Sequence, residues 1–208
     1  MSFIKKINFT SNTTIYAWKI TEDFNYLLSH VVLKPSSLER VSKMKSESHQ
    51  KGFLAVRMLL QHCGYTDYDL SYDHSGKPSL ADGNKISITH SFEYSVIAIS
   101  QQEIGIDIEL CRDKIIRIGN KFAQEQFVQN YAEDEQKRIL TVIWGAKESI
   151  FKIMNEPGIS FLDHIAVHPF LLSDNNTTAQ LNFNHEISNF TIYYKEIDNY
   201  TLVYAEKK

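Results

Sequence analysis

The sequence predicts an α+β fold built as two similar α/β lobes, and three observations carry that prediction. Segments run in the order helices, hairpin, strands, and then again as helices, loop, strands. The run Tyr94-Ser95-Val96-Ile97-Ala98-Ile99 closes the first half much as Tyr200-Thr201-Leu202-Val203-Tyr204-Ala205 closes the second. No low-complexity or flexible linker separates the halves, so the boundary falls near Gln101–Gln102, giving lobes 1–101 and 102–208. Lobes joined so closely are expected to pack together, and a cleft between them is a natural ligand site. At 208 residues, 43% of them hydrophobic, the chain can bury one large core or two smaller ones.

Each element has its own local warrant. Phe3 to Ile20 reads as strand, broken by the polar Ser11-Asn12-Thr13-Thr14. Thr21 to Leu33 reads as a short helix capped by Thr21 or Asp23. Pro35-Ser36-Ser37 opens a helix reaching about Lys45, and Ser48 to His62 forms a stronger one that ends at Gly64. Asp82-Gly83, between Ser79 and Ile86, is the turn expected of a hairpin. Three apolar runs follow: Ile86–Thr89, Tyr94–Ser100 and Ile104–Leu110. Helical segments are expected after Gly119 through Gln129, then a longer helix from about Asp134 to Met154, stopped by Asn155-Glu156-Pro157-Gly158. The remainder, from Phe161, reads as strands, Thr191–Lys195 and Thr201–Ala205 most clearly.

Bulk chemistry narrows the function. The net charge of −3 creates no global basic field, which argues against nucleic acid as a partner. Charge is uneven, however. Lys34 to Arg57 carries six Lys/Arg against two Glu, while Gln101 to Glu135 carries eight acids against four bases. That asymmetry fits a polyanionic ligand held by lysines at one end and a divalent cation at the other. Cys63 and Cys111 form no ligand cluster and read as reduced thiols. Met1 to Trp18 lacks a continuous apolar segment, and no run approaches eighteen apolar residues, so the expectation is a soluble, cytoplasmic protein without a membrane partner.

The chemistry concentrates in two acidic motifs about forty residues apart. In Ile104-Gly105-Ile106-Asp107-Ile108-Glu109-Leu110 the apolar residues alternate with Gly105, Asp107 and Glu109, the period of a strand. One face is greasy and the other carries two carboxylates. In Trp144-Gly145-Ala146-Lys147-Glu148-Ser149-Ile150-Phe151-Lys152, Glu148 and Lys152 are four apart on a helix and share a face with Trp144. Read alone, the first is a strand with a solvated face and the second a surface ion pair. Together, three carboxylates with oxygen-only ligands suit Mg²⁺, and a lysine beside them suits developing phosphate charge.

These residues resemble a known family. Gly105-Ile106-Asp107-Ile108-Glu109 is similar to the G-[IV]-D-[IV]-E motif of 4′-phosphopantetheinyl transferases, and Trp144 through Lys152 matches their W-x-x-K-E-[AS]-x-x-K motif at every fixed position. Gly76-Lys77-Pro78 resembles the family's G-K-P segment. Ser87-Ile88-Thr89-His90-Ser91 is similar to its S-x-S-H-S segment, with threonine for the middle serine. The four stand in the family's order, and the two-half layout resembles the Sfp-type branch, whose related halves form a pseudo-twofold dimer within one chain.

The resemblance implies transfer of the phosphopantetheine arm of coenzyme A to a serine of an acyl- or peptidyl-carrier protein, with release of 3′,5′-ADP, by a monomeric enzyme. It implies Asp107, Glu109 and Glu148 as Mg²⁺ ligands, Glu148 as base directly or through water, and Lys152 as stabiliser of phosphoryl charge. For coenzyme A it implies Gly76, Lys77, Pro78, Thr89 and His90, with Asp107 and Lys152, and cations from Lys43, Lys51 and Arg57; Lys51 stands near a position where the family often has arginine. The first lobe would then bind coenzyme A and the second hold the metal and catalytic groups. Trp144 is expected to brace the helix, and the other histidines (His30, His49, His62, His74, His164, His168, His185) to be structural. The carrier is expected to meet the segment Lys114–Asn130. Two rivals use the same carboxylates differently: a Mg²⁺-dependent phosphoanhydride hydrolase, with water as acceptor, and a catalytically inactive carrier-binding module.

Overall fold

Strand β1 (Phe3–Ile7) pairs antiparallel with β2 (Thr13–Lys19) at the start of the first of two compact units, 1–101 and 102–208. The structure is a computed structural model that describes residues 3–7, 13–124 and 127–208, with side chains from residue 5 onward. The second half of the expected break at 11–14 is strand. Thr13 and Thr14 already belong to β2, where Thr13 is buried and donates to Ser100 Oγ, while Ser11 and Asn12 lie outside the described residues.

Three helices follow. The first, α1 (Phe24–Ser29), is half the expected length: Asp23 Oδ1 caps it by accepting from Tyr26 N at 2.8 Å, and it ends at His30. Pro35 forces the extended conformation of Lys34 (φ −70°, ψ 155°) and then opens α2 (Pro35–Ser42). Ser46 caps α3 (Glu47–His62), which lays Phe53, Leu54, Val56, Leu59 and Leu60 into the core at helical spacing. A small hairpin of β3 (Leu70–Tyr72) and β4 (Pro78–Leu80) precedes β5 (Lys85–Ser91) and β6 (Tyr94–Ser100). Asp82-Gly83 does form a turn, with Gly83 at φ 85°, but not the expected hairpin. It joins β4 to β5, which pair with β3 and β6 in different sheets. The unit's main sheet runs β1-β2-β6-β5, all antiparallel, and its core gathers Trp18, Leu27, Val41, Leu54, Leu60 and Ile97.

The second unit opens on β7 (Ile104–Leu110), followed by α4 (Lys114–Ile118), a 3-10 turn at Gly119–Lys121, and α5 (Glu133–Met154). Helix therefore begins before Gly119 rather than after it. Of the expected helical stretch through Gln129, residues 125 and 126 lie outside the described residues. Glu133, Asp134 and Glu135 complement the N-terminal dipole of α5, and Asn155 ends it in the left-handed conformation at φ 51°. Strands β8 (Ile165–Val167), β9 (Asn176–Phe183), β10 (Glu186–Ile197) and β11 (Tyr200–Lys207) complete a sheet in the order β7-β11-β10-β9-β8. Ile139, Val142, Ile143, Ala146, Ile150 and Ile153 form the apolar stripe of α5 against Phe190, Ile192, Val203 and Ala205.

The two units share a pairing order. In each, the strand leading into the helices (β2 or β7) pairs antiparallel with the closing strand (β6 or β11), which pairs in turn with the penultimate one (β5 or β10). Among the described residues no helix is long and apolar enough to cross a membrane.

Candidate active site

Two glycines bring α5 close to the sheet, one on β7 and one on the helix itself. A Cβ on Gly105 would lie 1.8 Å from the Ser149 carbonyl oxygen, and one on Gly145 would lie 2.6 Å from Val203 Cγ2. Hydrogen at Gly105 lets the α5 backbone rest directly on β7, and hydrogen at Gly145 makes room for the Val203 side chain of β11. Because side chains alternate along a strand, Asp107 and Glu109 project from the same face as Gly105, toward α5. That face is covered, not solvated: Asp107 is buried and Glu109 half-buried.

The helix answers with a cation. Lys152 Nζ donates to Asp107 Oδ1 at 2.8 Å and to the Ile106 carbonyl at 2.7 Å. One turn earlier, Glu148 faces the same site. Burial, and secondarily the Asp107 carboxylate, push its pKa up. Glu109 is pushed further, to about 7, first by burial, then by Asp107, with Glu148 adding to the repulsion and the Trp144 hydrogen bond opposing it. The three acids thus sense one another's charge within one unit. Trp144 does more than brace the helix: its indole packs edge-on to Phe122 and donates from Nε1 to Glu109 Oε1 at 3.3 Å.

Among the described residues no three His, Cys, Asp or Glu side chains stand together as a ready set of metal ligands. Lys152 and Trp144 hold two of the three carboxylates. The donor chemistry nevertheless fits a hard divalent cation, for the donors are all carboxylate oxygens whose mutual repulsion and burial favour added positive charge. Lys152 supplies part of that charge already.

The first unit sorts the remaining candidates. Thr89 is buried on β5, whereas His90 at the next position is exposed. The imidazole of His90 stacks near-parallel on His49, with centroids 5.8 Å apart, and lies over Gly52, where a Cβ would come within 2.7 Å of His90 Cδ2. Ser48, His49, Gly52, His90, Ser91 and Phe92 line a pocket of about 190 Å³. His49, expected to be structural, belongs to this pocket; its place one helical position after Ser48 and far from His90 in sequence left no local signal. Gly76-Lys77-Pro78 closes the β3–β4 hairpin. Gly76 has φ 86°, and Asp73 Oδ1 accepts from Lys77 N and Ser75 N, both at 2.9 Å.

Of the three expected phosphate cations, one is corrected outright. Arg57 is 3% exposed, donates from Nε to Asp67 Oδ1 at 2.9 Å, and lies 3.5 Å over the Phe53 ring. It is a buried structural ion pair, completed by Lys34 N donating to Asp67 Oδ2. Lys43 is exposed and forms a one-turn surface pair with Glu39. Lys51 is half-buried beside Gly52 on α3.

Sequence reasoning also missed Lys147, next to Glu148. It is buried, and its ammonium donates to the carbonyls of Phe161 and Ile165. Burial lowers its pKa to about 8. It fastens the segment after α5 to the helix, placing Phe161 against Trp144 at 5.5 Å between centroids. Both cysteine thiols are pushed up by burial, Cys63 to about 11, which leaves them poor nucleophiles.

Residues 103–205, which contain this whole acidic site, match the sequence model of the 4′-phosphopantetheinyl transferase superfamily. The chain belongs to the 4′-phosphopantetheinyl transferase superfamily. It is also similar to the 4′-phosphopantetheinyl transferase gsp of Aneurinibacillus migulanus: 30% identical over 125 residues, which cover 59% of this chain and 51% of that relative. The chain therefore spans about half the length of the curated relative it matches. For a superfamily member the glycines of β7 and α5 acquire a role: they set the spacing at which Lys152 reaches Asp107.

Proposed function

We propose that this protein transfers the 4′-phosphopantetheine arm of coenzyme A to a serine of an apo acyl- or peptidyl-carrier protein, releasing 3′,5′-ADP. The observation that carries this reading is the Lys152–Asp107 pair on the close β7–α5 contact, with Glu109 and Glu148 facing the same charge. The two units within one chain, with their shared strand pairing, support the Sfp-type reading of a duplicated lobe acting as a monomer, and coenzyme A as substrate agrees with a cytoplasmic location.

The reaction breaks the bond between the pantetheine phosphorus and the bridging pyrophosphate oxygen as the serine oxygen attacks. Glu148 is the base for the serine proton, directly or through water. Its raised pKa makes it a stronger base than an ordinary carboxylate. Lys152 stabilises negative charge growing on the phosphoryl oxygens, and its bond to Asp107 aims the ammonium before substrate arrives. Asp107, Glu109 and Glu148 would hold Mg²⁺, which when bound supplies charge neutralisation at the pyrophosphate. Trp144 orients Glu109.

In the first unit, His90 with Thr89 beside it would bind a coenzyme A phosphate, and the Gly76-Lys77-Pro78 turn would line the adenine end. Lys51 and Lys43 remain the phosphate cations once Arg57 is withdrawn. For the carrier, the exposed Lys114, Arg117 and Lys121 lie on and just after α4, beside a pocket of about 180 Å³ lined by Glu109, Arg112, Ile115, Ile118 and Trp144. That mixture suits an acidic protein surface and would give salt-sensitive association.

Intact mass of an apo carrier protein after incubation with this protein, coenzyme A and Mg²⁺ tests the reading. A phosphopantetheine-sized gain that disappears with EDTA and with Glu148→Gln supports it. Absence of any gain on both acyl- and peptidyl-carrier substrates refutes it. Charge reversal at Lys114, Arg117 and Lys121 should weaken carrier affinity, and an unchanged affinity would remove the docking assignment alone.

A further inference from the structure

Ser91 pairs with Tyr94, so the β5–β6 hairpin closes on a two-residue loop, Phe92-Glu93. Phe92 takes a φ of 47°. This left-handed region is disfavoured for residues with a Cβ, most of all bulky ones, and hairpin loops of two residues ordinarily place Gly, Asn or Asp there. The other described non-glycine residues with positive φ are Asn155, Asn175, Asn184, His185 and Asp198, all types that tolerate it. Phe92 is also 52% exposed, so burial of its ring offsets little of the strain. Residues held in strained backbone conformations cluster at active sites and ligand clamps.

The ring stands at such a place. Phe92 is the hydrocarbon wall of the pocket whose other sides are the stacked His49 and His90 imidazoles, the Ser48 and Ser91 residues, and Gly52. Two imidazoles and two hydroxyl-bearing residues beside one aromatic face form a mixed lining suited to a planar heteroaromatic ring that carries an anionic group. The geometry points to Phe92 as a specificity-determining residue that stacks on the purine of an adenine nucleotide whose phosphate is held beside His90. This inference rests on coenzyme A being the substrate, and it adds the residue that receives the base.

Titration calorimetry with 3′,5′-ADP, alongside thermal unfolding, separates the possibilities. Phe92→Gly removes the ring and the strain together. It is expected to raise the Tm by about 2–4 °C, while weakening 3′,5′-ADP binding about tenfold. Phe92→Tyr keeps an aromatic face and is expected to bind as the parent does. Equal affinity in Phe92→Gly and parent overturns the inference. A weaker affinity accompanied by a lower Tm also overturns it, because the ring would then be a packing residue. Failure of the parent protein to bind 3′,5′-ADP overturns the coenzyme A reading itself, and this inference with it.

Discussion

Replacing Gly105 with alanine would test the contact on which the acidic site is built. The added Cβ would sit 1.8 Å from the Ser149 carbonyl oxygen and 2.6 Å from its carbon. An ordinary contact begins near 3.4 Å, so α5 must retreat from β7 by about 1.6 Å. The obstructing atoms are helix backbone, which no rotamer change can move aside. Overpacking of a core typically costs about 1–3 kcal/mol, and a backbone clash belongs at or above the top of that range. At about 2–4 °C per kcal/mol for a chain of this size, Gly105→Ala should lower the Tm by about 6–12 °C. Gly145→Ala meets the Val203 side chain at 2.6 Å instead, a neighbour that can itself be trimmed. Its clash is partly offset by about 1 kcal/mol of helix propensity gained over glycine. A double-mutant cycle with Val203→Ala should therefore show a favourable coupling of about 0.5–3 kcal/mol, while no Ser149 side-chain substitution rescues Gly105→Ala. Circular dichroism melts of the single and double variants measure both. A Gly105→Ala protein melting within about 2 °C of the parent would refute the close-contact argument, and with it the account of how Lys152 reaches Asp107.

Other consequences follow from the same contacts. Glu109, with its pKa raised to about 7 in the fold, is favoured in its protonated form. Its contribution is complete below the unfolded carboxyl value and lost as pH rises through 7. The metal-free protein should therefore lose stability between about pH 5 and 8, by about 1–2 kcal/mol after allowance for partial exposure. Glu109→Gln should flatten that profile, and parallel melting curves for the two proteins would contradict it. Adding Mg²⁺ at pH 8 should raise the parent's Tm more than that of Glu109→Gln. Arg57→Met strands the buried Asp67 carboxylate, and denaturant unfolding should show a loss of about 3–5 kcal/mol, largely recovered by Asp67→Leu in the same chain. Lys43→Ala breaks only an exposed one-turn pair with Glu39. It should change stability by no more than about 0.5 kcal/mol, so any large fall in coenzyme A affinity would assign it to the ligand.

The periodic elements were legible because their causes are local. Alternation over 104–110, apolar spacing along α3 and α5, and the Asn155–Gly158 stop depend on neighbours within a turn or two of chain. The acidic motifs were legible for the same reason, as was the chemistry their residue types could perform. Turn residues were less informative. Asp82-Gly83 specified a reversal but not which strands flank it, since strand pairing is decided by the whole sheet.

By itself the sequence determined the two-motif inventory of carboxylates and lysine and the strand and helix that present them. Tertiary structure alone decided which charges meet. Arg57 and Asp67 are only ten residues apart, yet nothing local says that their pair is buried beneath Phe53 and lost to phosphate. Lys152 finds Asp107 forty-five residues away, and Trp144 finds Glu109 at a separation of thirty-five. Burial then changes what these groups are, lifting the Glu109 carboxyl to about 7 and dropping the Lys147 ammonium to about 8. Desolvation and charge–charge distance are properties of packed space, and a sequence specifies them only through the fold it adopts.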